Sequence, residues 1–268
     1  MGMTSKAALA GDSLAGRTVL VTGAGDGIGR MAAVAYARHG AEVVLLGRTV
    51  AKLEAAFDEI VQAGCREPAI YPLDLACATP SDYAELATNI QGKLGRLDGI
   101  LHNAAVLDLL TPLEFHPTEV WEQTLRANLT APFLLTQACL PLLKAAPDGV
   151  LIFTSDECAV RPKAYWGAYG VSKAGLDHLA LMWAQELDKT AVRIHVVDTG
   201  PVRTEMRLRT HPGAAAAAWP PASDLMDFYV RLMGPEGVAY RSLRVQAQEV
   251  AGQQGTTQAD AGARRKSV

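Results

Sequence analysis

The 268-residue sequence predicts one doubly wound α/β domain, a parallel sheet with helices on both faces. Three observations lead there. Short aliphatic and β-branched runs alternate with longer helical stretches, which is the rhythm of repeated β-α units. The runs are apolar throughout rather than at every second position, as suits strands covered on both faces. The length exceeds a minimal domain yet fits a single large α/β core.

In chain order, the first strand is expected at 17–23 (RTVLVTG), followed by a glycine-rich turn and a helix over 28–39. A second strand at 41–47 (AEVVLLG) leads to a helix over 50–63, and a third at 68–74 (PAIYPLD) to one over 80–94. Strands at 98–104 (DGILHNA), 149–155 (GVLIFTS) and 192–198 (VRIHVVD) alternate with helices over 117–145 and 168–189. A seventh strand is expected at 242–248 (SLRVQAQ). Parallel neighbours joined through helices cross over right-handedly. The domain is placed at 12–250. The loop 204–224, rich in Ala and Pro from 209 onward, interrupts the rhythm and suits a lid or mobile loop that selects substrate. The polar segment 251–268 is expected to be a flexible tail.

Charge narrows the function classes. Net charge is −3, and no Lys/Arg cluster precedes the extreme C-terminus, so no footprint for nucleic acid or a membrane surface is present. A small-molecule partner is expected instead. The four cysteines, Cys65, Cys77, Cys139 and Cys158, form no CxxC pair and show no metal-ligand spacing, so reduced thiols and no metal are expected. The first 16 residues lack an apolar core of signal-peptide length, and no apolar run reaches 18 residues, so the protein is expected in the cytoplasm.

Chemistry enters at VLVTGAGDGIGRMAA. Gly23, Gly27 and Gly29 follow a strand and open a helix, where a dinucleotide pyrophosphate can approach bare backbone and the positive helix end. An ordinary tight turn is the alternative, and the surrounding β-α-β pattern argues against it. The spacing from Thr22 to Gly29 reads TGxxxGIG, and with it the sequence resembles the short-chain dehydrogenase/reductase family. The resemblance covers about residues 15 to 250: HNAA (102–105) stands for NNAG, RANL (126–129) carries Asn128, and YGVSK (169–173) matches YxxxK.

The resemblance implies a Rossmann fold and a nicotinamide-dependent oxidoreductase acting on a carbonyl or alcohol. It places Thr22, Gly23, Asp26, Gly27, Ile28, Gly29, Asn103, Ala104 and Ala105 around the cofactor, Asp74 and Leu75 beside adenine, and Gly200, Val202 and Thr204 against the nicotinamide. From spacing alone, Asp74 reads equally as a helix cap. At the end of the second strand, where a carboxylate would hold a ribose, stand Gly47 and Arg48. Room for a phosphate and a fork of donors make NADP the expected cofactor over NAD; Arg48 stacked on adenine is the alternative.

Tyr169 and Lys173, four apart, share a helix face, and as a bare pair would read as surface amphipathicity. The resemblance implies instead that Tyr169 is the acid or base at the carbonyl oxygen. It implies too that Lys173 lowers the phenol pKa from about 10 and binds ribose, and that Asn128 holds a water in a proton relay. One member of the family's set departs. Thirteen residues before Tyr169, where the family has a serine donor, stands Asp156, with Ser155 its neighbour. A carboxylate there cannot donate and would raise the phenol pKa. Three outcomes follow: a protonated Asp156 that donates, a loop shift that brings Ser155 in, or a nucleotide-binding protein with weak or lost catalysis.

VDTGPVRTEM (197–206) replaces the usual NPGxxxT proline with Thr199, and HNAA carries His102 and Ala105 for Asn and Gly. Trp166, Met206, Leu208 and Trp219 are candidates to line an apolar substrate pocket; Trp166 in a subunit interface is the alternative. The apolar faces of 117–145 and 168–189 suggest pairing in a homodimer or homotetramer.

Overall fold

The computed structural model describes residues 11–213, 218–240 and 244–248. Among them, seven strands form one sheet: β1 (Thr18–Thr22), β2 (Glu42–Gly47), β3 (Ala69–Pro72), β4 (Gly99–His102), β5 (Val150–Ser155), β6 (Arg193–Asp198) and β7 (Arg244–Gln246). Their order is β3-β2-β1-β4-β5-β6-β7, and every neighbouring pair is parallel. The chain winds outward from β1 to β3, then returns to lay β4 on the other side of β1. Loops leaving β1 and β4 therefore diverge and open a crevice at the carboxyl ends of the strands.

The apolar runs are explained by burial: β1, β4, β5 and β6 are covered along their whole length. Successive residues feed opposite layers. Val19 and Val21 join a core with α1 (Gly27–Arg38), α2 (Val50–Gln62) and α8 (Met226–Met233), whereas Leu20 joins one with α3 (Pro80–Leu94), α5 (Ala131–Ala145) and α6 (Gly167–Glu186). Edge strand β3 is partly exposed and ends at Pro72, whose missing N–H an edge position tolerates. Local signals bound α3 sharply. Thr79 and Asp82 form a capping box, Pro80 opens the helix, and Gly95 closes it at φ 75°.

The helix expected over 117–145 is divided. α4 (Thr118–Leu125) passes through a wide π turn at Arg126–Thr130 into α5. Pro132 explains the break, because it lacks the N–H that an unbroken α ladder would bond to the carbonyl of residue 128. The expected loop 204–224 contains α7 (Glu205–Thr210), a bridge from Arg203 to Pro221 and a 3₁₀ turn at Ala222–Leu225. The expected tail 251–268 and residues 242–243 of the expected seventh strand lie outside the described residues.

At the amino ends of the strands, charges are paired. The Asp148 carboxylate takes Nε and Nη2 of Arg193 at 2.6 and 2.9 Å and a third bond from Arg17. Arg193, 2% exposed, also donates to the carbonyls of Leu232 and Gly234. Asp98 receives Arg96 and the Thr18 N–H. On α5 and α6, the faces expected to pair between subunits leave Phe133, Leu181 and Met182 partly exposed.

Candidate active site

A cavity of about 490 Å³ follows the carboxyl ends of the strands, from Gly23 and Arg48 to Tyr169 and Thr210. At its floor, Gly23 (φ 68°) and Gly27 (φ 52°) hold backbone that other residues rarely adopt. A Cβ built on Gly27 would find nothing nearer than Thr204 at 3.6 Å, so bare backbone and the start of α1 face open space. Such a cradle fits a pyrophosphate. Ile28 lines it, as do Asn103, Ala104 and Ala105 from the loop after β4.

Two residues of the expected set serve the scaffold. The Thr22 hydroxyl donates to the Leu101 carbonyl and accepts the N–H groups of Asn103 and Ala104, both at 3.0 Å, tying β1 to the loop after β4. Gly29 lets α1 close on the strand, since a Cβ there would stand 2.3 Å from the Gly23 carbonyl.

The far end of the cavity is basic. A Cβ at Gly47 would meet Leu53 at 3.0 Å, so a side chain at the usual carboxylate position would be crowded. Arg48 lines this end with Lys52, a residue the sequence reading did not single out. Lys52 Nζ donates to Asp26 at 2.5 Å and lies 3.7 Å from Glu205. Burial would raise the Asp26 pKa, but Lys52 and the Gly27 N–H that Asp26 caps override it and hold it below the usual carboxylate range. A helix starting at Val50, one turn after β2, was the available signal for Lys52, because it turns that residue toward the glycine loop. Asp74 and Leu75 line the same end, where Asp74 caps a turn by accepting the Ala76 N–H at 3.0 Å.

At the other end Tyr169 and Lys173 meet on α6. Burial pushes the phenol pKa well above its ordinary value, and the charge of Asp156 adds to this while Arg207 opposes it. Lys173 stands near the phenol ring. Its ammonium donates to the Thr154 carbonyl at 2.7 Å and sits 5.6 Å from the Tyr169 ring centroid, and burial depresses its own pKa. The Asn128 side chain does not reach toward Lys173. Both its amide hydrogens are taken, by the Val106 carbonyl at 2.9 Å and Ser172 Oγ at 3.0 Å, and its Oδ1 accepts the Val106 N–H. Asn128 thus clamps the loop after β4 to α6.

Ser155 and Asp156 part as alternating strand-end residues should. The Ser155 hydroxyl is buried without a completed hydrogen bond, on the side of Asp177. Asp156 lines the cavity, and one of its oxygens accepts the Cys158 N–H at 2.9 Å. Beneath them Arg244 donates to Asp177 at 2.9 Å and to Asp198 and the Asp156 carbonyl, both at 3.0 Å, stapling β5, β6 and α6 together.

The substrate side is aromatic and basic. Trp166 packs 5.6 Å from Tyr169, and His211 links it to Trp219 at centroid distances of 6.1 and 6.0 Å. Met206, Arg207 and Arg209 line the cavity; Leu208 and Trp219, expected there, are outside its lining, Leu208 being 43% exposed. Gly200 (φ 62°), Val202 and Thr204 line it too, and the Thr204 oxygen caps α7 by accepting the Arg207 N–H at 3.2 Å. His102 turns away to Thr136 at 2.9 Å and is held neutral, burial having lowered its pKa to about 3.

Residues 17–214 match the family model for short chain dehydrogenases. The uncharacterized oxidoreductase YciK of Escherichia coli (strain K12) is 39% identical over 225 residues, 84% of this chain and 89% of that one. A solved short chain dehydrogenase structure from Pseudomonas syringae superposes with a TM-score of 0.86 at 43% identity, covering 91% of this chain and all of its own. Another, from Shigella flexneri 2a and complexed with NADP, gives 0.86 at 37% identity over 89% of this chain and 100% of that one.

Proposed function

Because the chain belongs to the short-chain dehydrogenase family, we propose that it is an oxidoreductase using NADP(H) to interconvert a carbonyl and an alcohol, with Tyr169 as its proton donor in reduction. One observation carries the proposal: the bare glycine turn, Arg48, and Tyr169 with Lys173 share a single cavity. NADP is the cofactor in the Shigella flexneri structure, and the residues here suit it. Gly23, Gly27 and Ile28 with the start of α1 would hold the pyrophosphate. Arg48 and Lys52 would hold the 2′-phosphate, Arg48 with a guanidinium fork. Asp74 and Leu75 would flank adenine, while Gly200, Val202 and Thr204 would meet the nicotinamide.

The bound reduced nicotinamide supplies the hydride. Tyr169, its phenol kept protonated by burial and by the Asp156 charge, donates a proton to the developing alkoxide. Lys173 supplies the nearby positive charge against which the resulting phenolate is less costly. Ser155 lines the cavity with its hydroxyl on the side of Asp177, and Asp156 presents an acceptor, so polarisation of the carbonyl rests on Tyr169. These features favour reduction near neutral pH, because the reverse reaction needs the phenolate first.

The test pairs binding with turnover. NADPH should quench protein fluorescence at concentrations at least about tenfold below NADH, in keeping with the strength of charge-assisted contacts to the 2′-phosphate. The protein should then oxidise NADPH with aldehydes or ketones, and Tyr169→Phe should lower that rate about 10²- to 10⁴-fold while keeping NADPH affinity. NADPH binding with no turnover of any carbonyl would instead support a nucleotide-binding role, and failure to bind either cofactor would sink both.

A further inference from the structure

The substrate end of the cavity holds a cation that the fold orders but does not neutralise. Arg207, in the middle of α7, lines the cavity together with Tyr169. Its Nε is buried without a hydrogen-bond partner, and among the described residues no carboxylate pairs with its guanidinium. The side chain is nevertheless fixed. Its guanidinium carbon lies 5.3 Å from the Trp219 ring centroid, Trp219 stands edge-on to His211, and His211 leads on to Trp166 beside Tyr169. The main chain is fixed as well, through the Arg207 N–H on Thr204.

The guanidinium also reaches the reacting centre electrostatically, since its charge acts on both Tyr169 and His211. Asp156, the acidic group on the same wall, does not pair with it, its capping bond going to Cys158. Leaving a partly buried donor unanswered is costly, and the cost is removed when an oxyanion takes the free edge of the fork. Trp166, which lines the cavity beside Tyr169, adds an apolar ring that a planar acyl or aryl body would cover.

We infer that Arg207 is the anion-binding group of the substrate site, and that the substrate is a carbonyl compound carrying a carboxylate on a flat, apolar body. The inference rests on the reductase reading above and narrows its substrate class. A carboxylate matches the two parallel donors of a guanidinium edge, and stacking on Trp219 keeps that edge turned to the cavity rather than free to rotate.

The experiment uses the full chain with NADPH and three aldehydes: benzaldehyde, 4-carboxybenzaldehyde and the methyl ester of the latter. The acid should be reduced with kcat/KM about tenfold or more above its ester, through a lower KM. Arg207→Gln should bring that ratio near one by raising KM for the acid, and Arg207→Lys should keep part of it, because an ammonium retains the charge without the fork. Equal values for acid and ester in the unaltered protein overturn the inference. So does an Arg207→Gln variant that loses NADPH affinity as far as it loses the acid, which would assign the arginine to the cofactor. A binding measurement stands independent of the variant's folding and of turnover: with NADP bound, benzoate should bind about tenfold more tightly than benzamide, and equal binding overturns the assignment. Absence of NADPH oxidation with all three aldehydes, while benzoate still discriminates, breaks the reductase reading and leaves the anion site standing.

Discussion

At the amino ends of the strands, Arg17 and Arg193 direct their charges at Asp148, and Arg96 at Asp98; at the carboxyl ends, Asp156, Tyr169 and Arg207 face a cavity without an ionic partner among the described residues. The same sheet builds both edges. At one edge a buried guanidinium has two carboxylate oxygens and two carbonyls around it. At the other, a buried guanidinium nitrogen and a buried serine hydroxyl complete no hydrogen bond. Polar groups left unsatisfied cost stability unless a ligand completes them. The contrast therefore separates the edge that holds the fold from the edge that is finished by what it binds.

The largest expected effect breaks the satisfied edge. Asp148→Ala leaves Arg193 buried without its counter-ion, and should lower the unfolding free energy by about 3 kcal/mol or more. Urea denaturation measures this, and a loss under about 1 kcal/mol would show that Arg193 finds other partners. The pH dependence follows in sign. Burial would raise the Asp148 pKa, but Arg193 and Arg17 hold it below the usual range. Its contribution to stability is therefore complete above about pH 4, the ordinary aspartate value, and is lost as pH falls through the depressed folded value. Acid unfolding of the alanine variant should accordingly show a shallower pH dependence than that of the unaltered protein.

The two edges were not equally legible. The strands could be read from continuous apolar runs, because burial on both faces leaves a mark on every residue of β1, β5 and β6. The glycine turn and the Tyr169–Lys173 pair could be read because each requirement is local: a positive φ at Gly23 and Gly27, and a four-residue spacing on α6. What was missed depends on partners far along the chain. Lys52 meets Asp26, Asn128 meets Val106 and Ser172, and Arg244 reaches back to Asp156 and Asp177. No periodicity encodes such pairs. The Lys173 bond to a β5 carbonyl is of the same kind. Arg207 gave no signal in a loop without a motif; only the fold places it beside Trp219 and in the same cavity as Tyr169.

A smaller change sharpens the unsatisfied edge. Asp156→Ser replaces an acceptor by a donor and removes the charge that, after burial, does most to raise the Tyr169 pKa. Turnover of a neutral ketone should rise, by about tenfold if the serine supplies only part of what a well-placed donor contributes. Alcohol oxidation carries the more direct readout. It depends on phenolate, so its rate climbs as pH rises through the Tyr169 pKa, and the serine variant should begin that climb at lower pH. An unmoved profile would mean that the Asp156 charge does not reach the phenol, whatever happens to the rate.

The smallest effects lie at the basic end of the cavity, where the comparison can be drawn within a single pair of cations. Arg48 has no acidic partner among the residues described, whereas Lys52 is already engaged by Asp26 at 2.5 Å and stands 3.7 Å from Glu205. Both side chains are reached by solvent, so their attraction for a phosphate is screened. Arg48→Ala should therefore weaken NADPH binding by about tenfold and leave NADH nearly unchanged, narrowing the preference at its source. Lys52→Ala should cost less, about two- to threefold, because the lysine must share its charge with two carboxylates. The difference should shrink as salt is raised from about 0.05 to 0.5 M, since screening acts on the exposed pair and on the phosphate alike. If Lys52→Ala proved the more damaging of the two, the phosphate would be held chiefly by the cation that also fixes Asp26 at the start of α1, and the glycine turn and the basic end would work as one unit rather than two.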